Sequence, residues 1–167
     1  MEPLPPEHVQ NALDAHNLGI QIRFFENSTA TSQLAADNIG CELGQIAKSL
    51  CFMVDGKPIV VIASGDQRVD DRKLAAMYNV GRKKIRPAKP EECIDIYGYA
   101  PGGVPPLAHR TPGLPVHLDE SLQRYQQIYA AGGAHNAIFP VTLDQLVQIS
   151  GGQFADVKRD ATEEPSS

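Results

Sequence analysis

The chain has 167 residues and a mass of 18.1 kDa, enough for one domain and too little for two full cores. Hydrophobic residues make up 42% and charged residues 21%, which excludes a disordered or collagen-like chain. Aromatic residues are only 6% with no Trp, and the net charge is −5. A base-stacking platform and a uniformly basic nucleic-acid binder are therefore both disfavoured, unless positive charge is gathered in one place.

Residues 1–6 are Pro-rich and read as a flexible tail. Glu7 to Asn17 places Val9, Leu13 and His16 at helical spacing after Pro5-Pro6, which predicts an amphipathic helix ending near Gly19. Gln21 to Phe25 predicts a short strand. Thr31 or Ser32 caps a helix with Leu34, Ala35 and Ile39 on its apolar side, ended by Gly40. Lys48 to Val54 and Pro58 to Ala63 are apolar strands joined by Asp55-Gly56, a hairpin turn in which Gly tolerates positive φ. Asp70 or Asp71 caps a helix reaching Asn79. A short segment at Lys84 to Arg86 leads into a helical stretch from Pro90 to Tyr97.

Residues 98–115 hold four Gly and five Pro and form no element interior. Ordered loops of this length in small domains are usually functional. Pro115 to Leu118 predicts a strand. Gln123 to Ala131 reads two ways: Leu118, Leu122, Tyr125 and Tyr129 repeat at helical spacing, yet Ile128-Tyr129-Ala130 before two glycines suits a strand. Ala137 to Val141 is a strand. Thr142 caps a helix through Ile149, stopped by Gly151-Gly152, and Phe154 to Val157 is a last strand. The polar, acidic residues 159–167 read as a second tail, so the domain spans 7–158. Helices and strands mix without a βαβ rhythm, which points to a mixed α/β (α+β) sheet rather than a doubly wound one.

Three Cys without C-x-x-C spacing give neither a disulfide framework nor a zinc knuckle. No signal peptide opens the chain, and no apolar run reaches membrane length. A cytoplasmic protein away from membranes is the expectation. Phosphate-loop, dinucleotide and nucleophile-elbow motifs are missing, and no His/Cys cluster suggests a metal. His117 and Asp119 share a strand face, but a pair without further ligands is weak, and a solvated strand residue with a nearby acid explains it as well.

Four features bear on chemistry. Lys48 sits on the same strand face as Leu50, Phe52 and Val54, so its ammonium must reach water or meet an anion such as a phosphate. Gly102-Gly103-Val104-Pro105-Pro106 can bring backbone N–H groups close to a carbonyl oxygen, or can simply turn the chain. His135 follows Gly132-Gly133-Ala134, where an imidazole could position a substrate or stand exposed. Residues 68–89 carry eight basic side chains against two acidic ones, a local +6 that leaves −11 for the rest. Such a stretch is either a phosphate-binding footprint, with Arg72, Lys73, Arg82, Lys83 and Lys84 as candidates, or a solvated face.

In order, Ile46-Ala47-Lys48-Ser49-Leu50-Cys51-Phe52, Gly98-Tyr99, Gly102 to Pro106, Val116 to Leu122 and Ala131-Gly132-Gly133 resemble the YbaK-type family. Its members are free-standing relatives of the editing domain inserted in bacterial prolyl-tRNA synthetases. The resemblance covers roughly residues 7–158. It implies a curved, mainly antiparallel sheet surrounded by helices, with Gln126 to Ala131 as a strand. It implies hydrolysis in trans of an amino acid wrongly esterified to tRNA, usually tRNA for proline, with no metal or organic cofactor. The partners implied are the acceptor end of a mischarged tRNA and an aminoacyl-tRNA synthetase. By the same resemblance Lys48 contacts the terminal phosphate region, and the backbone of Gly102 and Gly103, in the loop closed by Pro106, lies against the ester. Thr31 and Ser49 line the pocket, and His135 lies near a histidine that helps set amino-acid choice. Ala108 stands where many relatives have Gly. Ala134-His135-Asn136 replaces the basic run of cysteine-specific members, and both departures argue against cysteinyl specificity.

Two other functions stay open on the residues alone. One is a catalytically silent module that binds tRNA or an aminoacyl ligand. The other is a small-molecule esterase or amidase using His135.

Overall fold

The structure is a computed structural model and describes residues 1–160. Helix α1 (Pro6–Asp14) opens on a proline, which has no N–H to leave unpaired, and buries Val9 and Leu13 one turn apart. It ends three residues before the expected boundary, because Asn17 turns the chain with φ +57°. Helix α2 (Ser32–Ile39) starts where the Thr31 hydroxyl accepts the Leu34 N–H at 3.1 Å and stops at Gly40, φ +82°. Its buried residues are Ala35 and Ala36, whereas Leu34 is exposed, so the buried face is turned from the expected one.

Strands β1 (Arg23–Phe24), β2 (Ile46–Val54) and β3 (Lys57–Ser64) follow, and β1 is shorter than the spacing predicts. Asp55 and Gly56 join β2 to β3 with φ +49° and +78°, a two-residue turn whose twist matches the strands. Helix α3 (Asp71–Tyr78) is capped by Asp70 and closed by Asn79. Strand β4 (Ile85–Pro87) leads into α4 (Pro90–Glu92), which continues as a π-helical turn over Cys93–Tyr97. Strands β5 (Val116–Asp119), β6 (Gln127–Ala131) and β7 (Ala137–Thr142) precede helix α5 (Leu143–Ser150) and strand β8 (Gln153–Ala155). Thr142 and Gln145 cap α5 reciprocally.

All eight strands form one mixed sheet in the order β1-β7-β6-β2-β3-β5-β8, with β4 added to β2. Four pairings are antiparallel and three are parallel: β2–β6, β3–β5 and β5–β8. The mixed α/β class expected from the sequence holds. Strand β3 is covered on both faces. Val60 and Ile62 enter the main core with Leu13, Tyr97, Leu118 and Phe139, while Ile59 and Val61 meet Leu74 and Val157 on the α3 side.

The feature that positions the site is a break beside β2. One edge of β2 is paired with β3 from Ala47 to Val54. The other edge pairs with β6 at Ile46 and Ala47, and with β4 only from Phe52. The sheet is thus split between these two partners.

The loop over 98–115 is stitched from within. The Tyr99 hydroxyl donates to the Ala108 carbonyl at 2.7 Å, His109 Nε2 donates to the Pro105 carbonyl at 2.8 Å, and the Thr111 hydroxyl donates to the Ile96 carbonyl at 2.7 Å. Ala108 has φ +64°, a conformation that favours glycine. In the Pro-rich N-terminal segment the Leu4 N–H donates to the Gly98 carbonyl at 2.7 Å. Of the acidic C-terminal segment, 161–167 lie outside the described residues.

Candidate functional site

The break beside β2 opens into a pocket of about 240 Å³. Thr31, Lys48, Ser49 and Gly102, four of the residues singled out from the sequence, line it together. The rest of its wall is mostly small and apolar, including Ala35, Ala47, Val104 and Ile138. This volume lies just under the usual range for small-molecule sites of roughly 300–1,000 Å³, so it suits an amino-acid-sized group rather than a nucleotide.

Lys48 is half-buried, and its Nζ donates to the Gln67 carbonyl at 2.5 Å. Burial lowers its pKa from the ordinary lysine value; Asp66 opposes this and Arg68 adds to it. The Asp66 carboxylate is committed elsewhere. Arg124 grips it with two nitrogens at 2.7 and 3.0 Å and holds its pKa down, chiefly through those hydrogen bonds. Among the described residues no carboxylate lies within 4 Å of Lys48, so its charge stays available to an anion.

Gly102 brings the 98–115 loop against the β1–α2 connection. Its φ is +86°, and a Cβ there would lie 2.7 Å from the Ala30 carbonyl oxygen and 2.9 Å from the Ala30 methyl. Only glycine meets both demands. Gly103 is buried and packs on Ala134, where a Cβ would sit 3.1 Å from the Ala134 nitrogen. It borders a second hollow, shared with His135 and the N-terminal Pro3, Leu4 and Pro6. Pro106 is buried beside a third hollow near Leu107 and His109. The structure therefore brings Thr31, Lys48, Ser49 and Gly102 together, and places Gly103, Pro106 and His135 outside their pocket.

His135 acts through its main chain. Its carbonyl accepts the Thr29 N–H at 2.6 Å and the Thr29 hydroxyl at 3.2 Å, while the side chain is exposed. This stitch sets the position of Ala30 and hence the wall facing Gly102. Thr29 and Ala30 escaped sequence reasoning, because Asn27-Ser28-Thr29 reads as any polar loop. In the sequence Arg68 is one of eight basic residues with nothing to single it out. The structure sets it next to the carbonyl that holds Lys48.

Most of the basic stretch is neutralised. Arg72 pairs with Asp70 at 3.0 Å, Arg82 with Asp71 at 2.9 Å, Lys84 with Asp55 at 3.7 Å and Arg86 with Glu92 at 2.8 Å. Lys73 bridges Asp156 and Asp160 at 3.0 and 2.7 Å. Among the described residues Arg68, Lys83 and Lys89 have no such partner, and all three are exposed. His117 and Asp119 serve separate ends. Nε2 of His117 meets the Tyr78 hydroxyl at 2.5 Å. Asp119 is buried and accepts the N–H groups of Ser121 and Val157 at 2.9 and 3.0 Å. No three His, Cys, Asp or Glu side chains among the described residues cluster as a metal site, and no helix among them is long and apolar enough to cross a membrane.

Comparison with known proteins places this arrangement. The profile of the aminoacyl-tRNA editing domain matches residues 26–149, which include Lys48 and the Gly102–Pro106 loop. YwhH, an uncharacterised protein of Bacillus subtilis, is 36% identical over 140 residues, covering 81% of this chain and 85% of that one. Proline–tRNA ligase of Staphylococcus aureus is 29% identical over 93 residues, 56% of this chain but 16% of the ligase. A crystal structure described as a candidate trans-editing enzyme for prolyl-tRNA synthetase superposes with a TM-score of 0.85 at 38% identity, over 93% of this chain and 97% of the other. By the extent of the profile match, and by likeness along nearly the whole fold, this chain belongs to the aminoacyl-tRNA editing domain family.

Proposed function

We propose that the protein is a trans-editing deacylase, which hydrolyses the ester of a tRNA carrying the wrong amino acid. The substrate we favour is tRNA for proline bearing a small residue such as alanine or serine, met in the cytoplasm alongside the charging synthetase. The observation that carries this reading is the convergence of an unneutralised Lys48 and the Gly102 backbone on one small apolar pocket.

Each part then has a task. Lys48 holds a phosphate of the acceptor end, as a point charge on a flexible stem suits. The Gly102 loop lies against the ester, where backbone donors can stabilise the developing oxyanion. No Ser/Cys/His triad lines the pocket. An oriented water, or a hydroxyl of the substrate's own ribose, is the nucleophile that fits. The apolar wall selects by size, and a methylene in such a pocket is worth about 1–3 kcal/mol. Cognate proline is excluded on that scale.

A panel of tRNAs charged with alanine, serine, cysteine and proline tests the reading. Release of a small residue from tRNA for proline, with prolyl-tRNA spared, is the expected result. Salt-sensitive tRNA binding with no hydrolysis of any ester would instead identify a silent binding module. Turnover of simple esters without tRNA would identify a small-molecule esterase.

A further inference from the structure

The break beside β2 has a chemical consequence at one residue. In a strand, the N–H and C=O of a residue point to the same edge, and successive residues alternate. Ile46 bonds toward β3, since its carbonyl accepts the Gly65 N–H at 2.8 Å. By alternation Lys48 and Leu50 also bond toward β3. Cys51 faces the other edge, where its carbonyl accepts the Ala88 N–H at 2.8 Å. Ser49 therefore presents its N–H and C=O to that same edge, between the last residue paired with β6, Ala47, and the first contact to the β4 segment. Among the described residues no strand, turn or side chain bonds either group. Ser49 lines the pocket, and its buried hydroxyl also lacks a hydrogen-bond partner. Buried polar groups in native proteins are nearly always paired, so the buried hydroxyl, beside a main-chain donor and acceptor left open on the pocket edge, points to a ligand.

The shape of that ligand follows from the edge. An extended residue offers its own amino nitrogen and carbonyl oxygen on one side, matching the C=O and N–H of the strand residue opposite. An aminoacyl ester is such a residue cut from its chain. Resting on the deacylase reading above, we propose that the main chain of Ser49 clamps the α-amino ester by strand addition. The Ser49 carbonyl accepts from the α-amino group, and the Ser49 N–H donates to the ester carbonyl. The clamp is blind to the side chain and demands an α-amino group. The apolar wall then reads size alone.

The test compares alanyl-tRNA for proline with its lactyl counterpart, in which a hydroxyl replaces the α-amino group. Exchange of a charge-assisted hydrogen bond for the weaker one a neutral hydroxyl donates should lower kcat/KM for the lactyl ester by roughly 10-fold. Ser49→Ala keeps the main chain and should keep that ratio, whatever it does to the rate. Ser49→Pro removes an N–H that bears no ladder bond. It should fold, as thermal melting will report, yet lose activity on both esters. Equal kcat/KM for the two esters in the wild type overturns the clamp even where Ser49→Pro fails to fold. A folded Ser49→Pro variant with wild-type activity overturns it too. If neither ester is cleaved, the deacylase reading fails, and the clamp with it.

Discussion

Lys48 illustrates how a charge is kept usable inside a half-buried site. Its ammonium rests on the neutral Gln67 carbonyl rather than on an acid, while Arg124 occupies the nearest carboxylate, Asp66. Lys48→Met keeps the stem and deletes the charge. It should lower kcat/KM by roughly 100-fold, the scale of a charge-assisted contact, and leave the urea midpoint unchanged. Burial lowers the lysine pKa, so the cation is lost as pH rises toward a value below the ordinary ~10.4. Affinity for an acceptor-stem hairpin without an amino acid should therefore fall as pH rises, before the ordinary lysine value is reached, in the wild type and stay flat in Lys48→Met. His109 is the residue most easily overlooked. Burial lowers its pKa, and its neutral ring pins the Pro105 carbonyl within the Gly102–Pro106 loop. His109→Ala should cost about 1–3 kcal/mol in urea unfolding and lower kcat more than KM, since it loosens donors rather than removes a phosphate contact.

At the scale of elements, local chemistry was legible wherever a cap or turn decides the outcome. Thr31, Asp70 and Thr142 all cap as expected, and Asp55-Gly56 makes the hairpin. The stretch after β5 was ambiguous because two periods overlap. Leu118 and Leu122 both reach the main core, but Leu118 belongs to β5 and Leu122 to a 3-10 turn, Glu120–Arg124, that ends before β6. Within β6, Ile128 and Ala130 face that core, while Tyr129 joins Ile46 and Ala35 on the other side. Alternation across a sheet wins because β6 is held between β2 and β7, a partnership invisible in a local window. Asp119, a weak metal-ligand candidate on the sequence, is structural. It joins β5 to the C-terminal segment through two buried hydrogen bonds. Asp119→Ala strands the Ser121 and Val157 N–H groups and should cost about 2–4 kcal/mol, measured by urea unfolding. Activity per folded molecule should persist.

For the whole molecule, charge is the property that sequence order misrepresents most. The +6 stretch stands out in the chain because its counter-ions lie elsewhere. Lys73 meets Asp156 and Asp160, more than eighty residues away, and Lys84 meets Asp55. With the local pairs Arg72–Asp70, Arg82–Asp71 and Arg86–Glu92, five of the eight basic residues are paired with carboxylates. The cations that the site and this stretch leave for a phosphate backbone, Lys48, Arg68, Lys83 and Lys89, are few. Binding of tRNA should accordingly show a shallow salt dependence. The slope of log K against log salt should be about −3 to −4, for four contacts at roughly 0.7–0.9 each. Arg68→Ala should reduce it by about one unit. Arg82→Ala, which removes a cation already matched by Asp71, should leave it unchanged. The pocket wall was hidden from the sequence for a related reason. Thr29, Ala30 and the His135 carbonyl meet only because the chain returns after more than a hundred residues.

The split in the sheet also leaves a dynamic signature. Main-chain amides in a central strand ordinarily exchange with solvent only when the strand opens. In β2 the amides of Lys48 and Leu50 are locked to β3, whereas the Ser49 amide between them has no partner to break. One fast-exchanging proton should therefore stand between two slow ones in deuterium-exchange NMR. Occupation of the pocket by an aminoacyl group would slow that single proton and leave its neighbours as they were, which makes it a built-in reporter of binding that needs no catalysis.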